Sequence, residues 1–243
     1  MKTAIVTGSS YGLGFSISNS LLASNFKVYG VSRSDPKIIN ENFFWIKADL
    51  LNDDEIKLIS DKVVEEKVDL LVNNAGVVFA EKSLEFTQSV FDSTFGLNLI
   101  APIKLTSMFK YKLIGGIIVN ISSTSDRFAE YGLGMYCASK AAIDIYFDAV
   151  AIENKETRVL SILPVYLDTP MLTDIAEKLK FSTDGAAKPE KFAEAVMQIV
   201  FSKDTLSSGS RIIVTTGDSL DDTKDPEKLW HYNMDTKEFK KLK

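Results

Sequence analysis

Two kinds of hydrophobic pattern alternate along this chain. Short continuous apolar runs predict strands buried on both faces of a parallel sheet, and stretches with apolar positions three and four residues apart predict helices that pack on it. The predicted strands are Thr3–Thr7, Lys27–Val31, Phe43–Ala48, Val68–Val72, Gly115–Ile121, Arg158–Leu163 and Arg211–Thr215. The predicted helices are Phe15–Ala23, Asn52–Glu66, a short and a long helix within Ser83–Leu113, Met135–Glu153, Thr169–Lys180 and Lys188–Phe201.

This alternation predicts an α/β fold with one doubly wound parallel sheet, helices on both faces and right-handed crossovers. No linker divides the chain. We expect a single domain over residues 1–218, which includes a short substrate lid at about 165–188, and a polar tail over 219–243. The tail contains aromatic residues, which disordered segments usually lack. We therefore expect part of it to pack on the body or on a neighbouring subunit.

Composition excludes several classes of function. The 243 residues carry a net charge of −5, whereas a nucleic-acid-binding surface is basic. No apolar run approaches the ~20 residues of a membrane span, and the N-terminus leads straight into a strand rather than a signal peptide. The single Cys137 excludes an internal disulfide and favours the cytoplasm, and the single His231 has no companions for a metal site. We expect a small-molecule substrate and no metal, nucleic acid or membrane.

A glycine-rich turn joins the first strand to the first helix. It contains Gly8, Gly12 and Gly14. Glycine lets the backbone approach a pyrophosphate closely, and a helix N-terminus offers free N–H groups and a positive dipole. The spacing differs from the Gly-x-Gly-x-x-Gly dinucleotide fingerprint, so a tight turn without a ligand is the alternative interpretation.

Polar residues follow the next three predicted strands. Ser32 and Arg33 occupy the position where an NAD site would carry an acidic residue, and this favours binding of the 2′-phosphate of NADP(H). The alternative is that Arg33 is simply a solvated surface residue, and NAD(H) is not excluded as the cofactor. Asp49 either binds the adenine amino group or serves as a loop or N-cap residue. The small and amide side chains of residues 73–76 allow close approach of a ligand.

The candidate chemistry centres on Tyr136 and Lys140, which lie on the same side of one predicted helix. An ammonium near a phenol favours the phenolate, so we expect Lys140 to lower the pKa of Tyr136 toward neutrality. Taken alone, such a pair is more often an aromatic ring packed on a Lys stem, and the other motifs of the chain are what favour a chemical role. Ser123 follows a strongly apolar strand. Asn98 lies inside a predicted helix, where it either kinks the helix or has a function.

Together these residues resemble the short-chain dehydrogenase/reductase family, from Thr3 to about Gly217. The motifs that carry the resemblance are Thr7-Gly8-x-x-x-Gly12-x-Gly14, Asp49-Leu50, Asn73-Asn74-Ala75-Gly76, Asn98, Ser123, Tyr136-x-x-x-Lys140, and Pro164 through Thr169-Pro170-Met171. The resemblance implies a Rossmann-type sheet, a nicotinamide cofactor and carbonyl/alcohol redox chemistry. It also implies a homodimer or homotetramer built on the long helices that contain Asn98 and Tyr136.

The resemblance further implies a role for each residue. Tyr136 would protonate the carbonyl oxygen, and Ser123 would donate a hydrogen bond to the same oxygen. Lys140 would lower the pKa of Tyr136 and hold the nicotinamide ribose, and Asn98 would keep a water near Lys140 for a proton relay. The residues expected to contact the cofactor are Gly8, Ser10, Tyr11, Gly12, Leu13, Gly14, Ser32, Arg33, Asp49, Leu50, Asn74, Ala75, Gly76, Tyr136, Lys140, Pro164 and Thr169.

Three positions depart from the family pattern. Tyr11 stands where relatives that use NADP often carry a basic residue, so the NADP preference depends on Ser32 and Arg33. Val165 replaces the glycine of the family's Pro-Gly pair, and Leu160 replaces an Asn. These last two changes concern substrate geometry more than hydride transfer.

The sequence as a whole predicts an NADPH-dependent carbonyl reductase. The expected substrate pocket is mostly apolar and contains Phe79, Phe128, Tyr131, Val165, Tyr166, Met171 and Leu172. It favours a small or medium hydrophobic or aromatic ketone or aldehyde. The alternatives are a non-catalytic dinucleotide-binding sensor or scaffold on the same fold, and a 3-oxo reductase that acts on an acyl thioester.

Overall fold

Nine strands form one sheet in the computed structural model, which describes residues 1–202, 206–215 and 229–241. The strands lie side by side in the order β3-β2-β1-β4-β5-β6-β7-β8-β9, and every neighbouring pair is parallel except β8 and β9. Their bounds are β1 (Lys2–Thr7), β2 (Phe26–Ser32), β3 (Phe43–Lys47), β4 (Leu70–Asn73), β5 (Ile117–Ile121), β6 (Arg158–Pro164), β7 (Ser210–Thr215), β8 (Leu229–Asn233) and β9 (Glu238–Lys241).

The helices cover both faces of this sheet. Their bounds are α1 (Gly12–Ala23), α2 (Asp53–Lys62), α3 (Gln88–Phe95), α4 (Ala101–Phe109), α5 (Gly134–Glu153), α6 (Pro170–Leu179) and α7 (Pro189–Phe201). A π-helical turn, Gly96–Ile100, joins α3 to α4, and a 3-10 turn, Thr124–Asp126, follows β5. None of the helices in the described part of the chain combines the length and the apolar character that crossing a bilayer requires.

The core has two parts, one on each side of the sheet. In β1, Ala4 and Val6 belong to the cluster that α1 and α7 cover, whereas Ile5 belongs to the cluster that α2, α4 and α5 cover. Successive residues of a strand point to opposite faces, so both sets of side chains must be apolar. This explains the continuous apolar runs in the sequence and confirms the predicted doubly wound fold.

The C-terminal part of the sheet differs from the sequence prediction. Arg211–Thr215 was predicted as the last strand, which is wrong, because β8 pairs with β7 and β9 pairs with β8. Tyr232 of β8 is 1% exposed, and its ring centre lies 4.8 Å from that of Phe239 in β9. The polar composition around these strands conceals their apolar positions. The domain boundary predicted at residue 218 lies outside the described residues.

The order of the strands determines where a ligand can bind. Starting from β1, the chain builds the sheet outward to β2 and β3 on one side and to β4 and later strands on the other. At such a switch point the loops at the carboxyl ends of the strands diverge and leave a crevice. The segment predicted as a lid contains α6, and a bridge between Leu167 and Ala187 closes its base.

Candidate active site

A cavity of about 310 Å³ opens at the carboxyl ends of the central strands. It is lined by the loops after β1, β2, β3, β4, β5 and β6 and by α6. Most residues predicted from the sequence to contact a cofactor lie on it. They are Gly8, Ser10, Tyr11, Gly12, Leu13, Ser32, Arg33, Asp49, Leu50, Asn74, Ala75, Gly76, Tyr136, Lys140, Pro164 and Thr169.

The turn after β1 has the backbone shape that a pyrophosphate requires. Gly8 has a φ of +69°, a conformation that glycine adopts without strain. A Cβ on Gly14 would lie 2.2 Å from the carbonyl oxygen of Gly8, so α1 can approach the turn this closely only with glycine there. The N-cap residue of α1, Tyr11, makes no side-chain capping bond. The first N–H groups of α1 therefore fit the phosphates of a dinucleotide.

Asn74 supports this turn from the neighbouring strand. Its side-chain amide donates to the carbonyl of Thr7 over 2.8 Å, and its backbone N–H donates to the Thr7 hydroxyl over 2.9 Å. The Nδ2 atom of Asn74 would lie 2.9 Å from a Cβ on Gly8. Asn74 thus fixes the turn in addition to lining the cavity.

The hydroxyl of Ser32 is already engaged within the protein. It donates to the carbonyl of Ser34 over 2.8 Å and accepts hydrogen bonds from Ser9 Oγ and Trp45 Nε1. Its hydrogen is directed to Ser34 rather than into the cavity. The side chain of Arg33, by contrast, is exposed at the cavity.

Asp49 lies on the cavity and shapes the loop after β3. Its Oδ1 accepts from the N–H of Leu51 over 3.0 Å, and its own N–H donates to Glu55. The N-cap of α2 is Asn52, which accepts from the N–H of Asp54. The N-cap alternative for Asp49 is therefore wrong, whereas its loop role is present.

Ser123 and Tyr136 both line the cavity. Ser123 is the N-cap of the 3-10 turn after β5, and Tyr136 lies in the first turn of α5. Burial raises the pKa of Tyr136 to about 12, and a hydrogen bond between Ser123 and the phenol opposes that rise. The two hydroxyls therefore meet where they could bind one substrate oxygen.

Lys140 lies one helical turn beyond Tyr136 and is buried. Its Nζ lies 5.6 Å from the centre of the Tyr136 ring and donates to the carbonyl of Ile121 over 2.8 Å. Burial lowers the pKa of Lys140 to about 8, and the carboxylate of Asp144 opposes this shift. We expected Lys140 to lower the pKa of Tyr136. The structure shows the opposite direction for this phenol, because burial dominates and the ammonium bonds to Ile121.

Asn98 is held in the π-helical turn between α3 and α4. Its Oδ1 accepts from the N–H of Val77, and its Nδ2 donates to the carbonyl of Val77 and to Ser139 Oγ, over 2.8 to 3.0 Å. Both amide hydrogens are thus used to tie the loop after β4 to α5. A Cβ on Gly76 would lie 3.2 Å from Asn98 Oδ1 and 3.9 Å from Lys140 Nζ, so this loop passes close to the ammonium.

The apolar wall of the cavity differs in part from the prediction. Val165, Tyr166, Met171 and Leu172 line it. The predicted wall residues that are instead exposed at the surface, away from the cavity lining, are Phe79, Phe128 and Tyr131. The loop before α5 turns Glu130 and Leu133 toward the cavity, and this turn leaves Phe128 and Tyr131 in solvent. The cavity residues that sequence reasoning missed include Leu97, Glu130, Leu133, Ile175 and Phe181.

No group of three or more His, Cys, Asp or Glu side chains within residues 1–202, 206–215 and 229–241 is arranged to hold a metal ion. The site combines a glycine turn at a helix N-terminus with a Ser-Tyr-Lys group on one cavity. These features define an NAD(P)-dependent oxidoreductase with a Rossmann-type sheet. Residues 2–180 match the short chain dehydrogenase family, and the chain belongs to that family.

Similar proteins carry reductase names. Benzil reductase ((S)-benzoin forming) from Bacillus cereus is 31% identical over 202 residues, which cover 74% of this chain and 81% of that protein. L-xylulose reductase from Bos taurus is 28% identical over 235 residues, which cover 89% of this chain and 96% of that protein. The aldohexose dehydrogenase structure from Thermoplasma acidophilum is similar with a TM-score of 0.81 and 24% identity, covering 92% and 97% of the two chains.

Proposed function

We propose that this protein is an NADPH-dependent carbonyl reductase with Tyr136 as the proton donor. The observation that carries the proposal is that Ser123, Tyr136 and Lys140 line one cavity together with the glycine turn. A carbonyl oxygen between the hydroxyls of Ser123 and Tyr136 would receive two hydrogen bonds. Sensors or scaffolds on this fold have no need of such a group, so its presence favours catalysis.

The chemistry divides between cofactor and protein. When bound, the nicotinamide supplies the hydride that reduces the carbonyl carbon. Tyr136 donates its phenolic proton to the carbonyl oxygen, and Ser123 stabilises the negative charge that develops there. Because the pKa of Tyr136 is about 12, its proton is present at neutral pH, and solvent replaces it after each turnover. Lys140 and the glycine turn bind the cofactor beside this pair.

The proposed preference for NADPH rests on Arg33. It lies on the cavity after β2, and no acid occupies the adjacent position, which is Ser32. A guanidinium would bind a 2′-phosphate and gains nothing from a ribose hydroxyl. Arg33→Ala should raise the KM for NADPH at least about tenfold and leave that for NADH nearly unchanged. Lys37→Ala removes an exposed cation in the same loop that pairs with Asp35, and it should change neither value.

The proposed substrate is a small or medium hydrophobic ketone or aldehyde. The wall formed by Leu133, Val165, Tyr166 and Met171 supports this class because it is largely apolar. The name of the Bacillus cereus relative, a benzil reductase, describes an aromatic substrate and is consistent with it.

A carbonyl panel followed by NADPH oxidation tests the proposal. The wild type should oxidise NADPH with at least one apolar ketone, and Tyr136→Phe should lower kcat by about 10²- to 10⁴-fold while NADPH binding, followed by fluorescence, is retained. Full activity of Tyr136→Phe would refute the assignment. NADPH binding by the wild type without turnover across the panel would favour the sensor alternative.

We also propose a homo-oligomer in which two copies associate through α4 and α5. Ile145 and Ile152 on α5 are 64% and 63% exposed, and Tyr111 just beyond α4 is 77% exposed, which supports an apolar contact there. Ile145→Glu should reduce the mass measured by sedimentation equilibrium. Ile39→Glu, which changes an exposed Ile in the loop between β2 and β3, should leave the mass unchanged.

A further inference from the structure

A carboxylate faces the cavity beside the proposed catalytic pair. Glu130 lies in the loop between the 3-10 turn and α5 and lines the cavity. Ser125 Oγ donates to Glu130 Oε1, and Ser123 Oγ donates to Ser125 Oγ over 3.0 Å. Two hydrogen bonds therefore join Glu130 to Ser123, which puts the carboxylate within about 6 Å of the Ser123 hydroxyl.

The carboxylate of Glu130 has no cationic partner among the described residues. No Lys, Arg or His in the described part of the chain forms an ion pair with it. The guanidinium of Arg127, three residues earlier, bonds to both carboxylate oxygens of Asp126 instead. The negative field of Glu130 reaches the phenols of Tyr136 and Tyr166, and it contributes to the raised pKa of each.

The carboxylate retains free acceptor capacity toward the cavity. An ionised carboxylate has two oxygens with about four acceptor positions. Ser125 occupies one position on Oε1, and no donor among the described residues bonds to Oε2. Leu133, Tyr166 and Met171, which line the same cavity, are largely apolar. A few polar groups among apolar wall residues commonly fix the orientation of a ligand.

We propose that Glu130 determines substrate specificity by binding a hydrogen-bond donor, a hydroxyl or an ammonium group, located one or two carbons from the reacting carbonyl. This inference rests on the carbonyl reductase function proposed above. With the substrate oxygen at Ser123 and Tyr136, the separation of about 6 Å between Glu130 and Ser123 can be spanned by a donor group one or two carbons from the carbonyl. The preferred substrate is then a hydroxyketone or aminoketone with an apolar remainder, rather than a purely apolar ketone.

Three ketones with one aromatic skeleton test the inference. They carry a hydroxyl, an ammonium or a methyl group on the carbon next to the carbonyl. In the wild type, kcat/KM should be at least tenfold higher for the hydroxyl or the ammonium ketone than for the methyl ketone. Glu130→Leu should abolish this preference mainly by raising KM for the hydroxyl and ammonium ketones, whereas any change in kcat should be the same for all three ketones. Glu130→Gln should keep part of the hydroxyl preference and lose the ammonium preference.

Glu177→Gln is the matched control, because it removes an exposed carboxylate from α6 that does not line the cavity. It should leave all three values unchanged. Equal kcat/KM for the three ketones in the wild type, or an equal loss for all three in Glu130→Leu, would overturn the specificity role while leaving the reductase proposal intact. Absence of NADPH oxidation by the wild type with every ketone would overturn both.

Discussion

Lys140 holds its ammonium 5.6 Å from the centre of the Tyr136 ring but donates its hydrogen bond to the carbonyl of Ile121. The two side chains thus lie on the same face of α5, but the Lys140 ammonium bonds to the backbone rather than to the Tyr136 phenol. Burial acts on them in opposite directions, because it disfavours the charged form of each group. It raises the pKa of Tyr136 to about 12 and lowers that of Lys140 to about 8.

The first prediction is that Tyr136 stays protonated through the physiological range. Phenolate absorbance should be titrated in the wild type and in Tyr136→Phe without added cofactor. The difference between the two curves should show no phenolate below about pH 10, since the pKa of Tyr136 is raised from its ordinary value by burial. A phenolate that appears near pH 7 would mean that Lys140 controls this phenol after all.

The second prediction concerns the loss of folding stability that results from burying the Lys140 ammonium. Its folded pKa lies below the ordinary value of 10.5, so folding is penalised while the group is charged, and the penalty disappears as pH rises from about 8 toward 10.5. Lys140→Met should therefore be more stable than the wild type at pH 7, by roughly 1 to 3 kcal/mol. The difference in free energy of unfolding, measured with urea, should shrink above pH 8.

The activity of the same variant provides the other half of this test. Lys140→Met should lose carbonyl reduction while it gains stability, because the ammonium is retained for function at an energetic cost. Lys155→Met serves as the control, since this Lys lies just beyond the C-terminal end of α5 and bonds to the carbonyl of Ala151. A loss of stability in Lys140→Met that matches Lys155→Met at every pH would contradict the buried-charge explanation.

Sequence periodicity was sufficient to predict the positions of those site residues that depend on a single helix or strand. Tyr136 and Lys140 share a helix face, and Ser123 follows a buried strand, so their approximate positions follow from local pattern. The engagement of Ser32 could not be predicted in this way, because Trp45 reaches it from the next strand of the sheet. Contacts between strands depend on register, which the local pattern does not determine.

Two other features depended on the conformation of irregular segments. The loop before α5 turns Glu130 inward and Phe128 outward, and a loop has no period from which that choice could be read. The strands β8 and β9 were missed because charged and polar residues surround their few apolar positions. Tertiary contacts determine both the conformation of this loop and the pairing of β8 and β9 with the sheet.

The third prediction concerns Asp144, which is fully buried on α5 and accepts a 2.6 Å hydrogen bond from Ser122. Burial raises the pKa of Asp144 to about 7, and the Asp126 carboxylate adds to this, whereas Ser122, Arg211 and Ser161 oppose it. A folded pKa above the unfolded value gives stability that is complete below about pH 4 and is lost as pH rises through 7.

Asp144→Asn removes this titration. Between pH 4 and pH 7, the free energy of unfolding of the wild type should fall relative to that of Asp144→Asn, by an amount on the order of a few kcal/mol. Urea denaturation at several pH values measures the difference. Asp61→Asn, at an exposed position on α2, should run parallel to the wild type. Parallel curves for Asp144→Asn would show that this carboxyl titrates alike in the folded and unfolded chains.

The last prediction tests whether β8 and β9 are integral to the fold. Tyr232 is buried in the cluster under α7, packs on Phe239, and donates its hydroxyl to Gln198 of that helix. Truncating a buried aromatic side chain commonly costs about 3 kcal/mol or more, because apolar contacts are lost and a cavity remains. Tyr232→Ala should destabilise the protein by about that amount in urea, whereas Tyr131→Ala, at an exposed position, should change the free energy of unfolding by less than about 0.5 kcal/mol. Equal effects of the two substitutions would mean that β8 adds a strand to the sheet without supporting it.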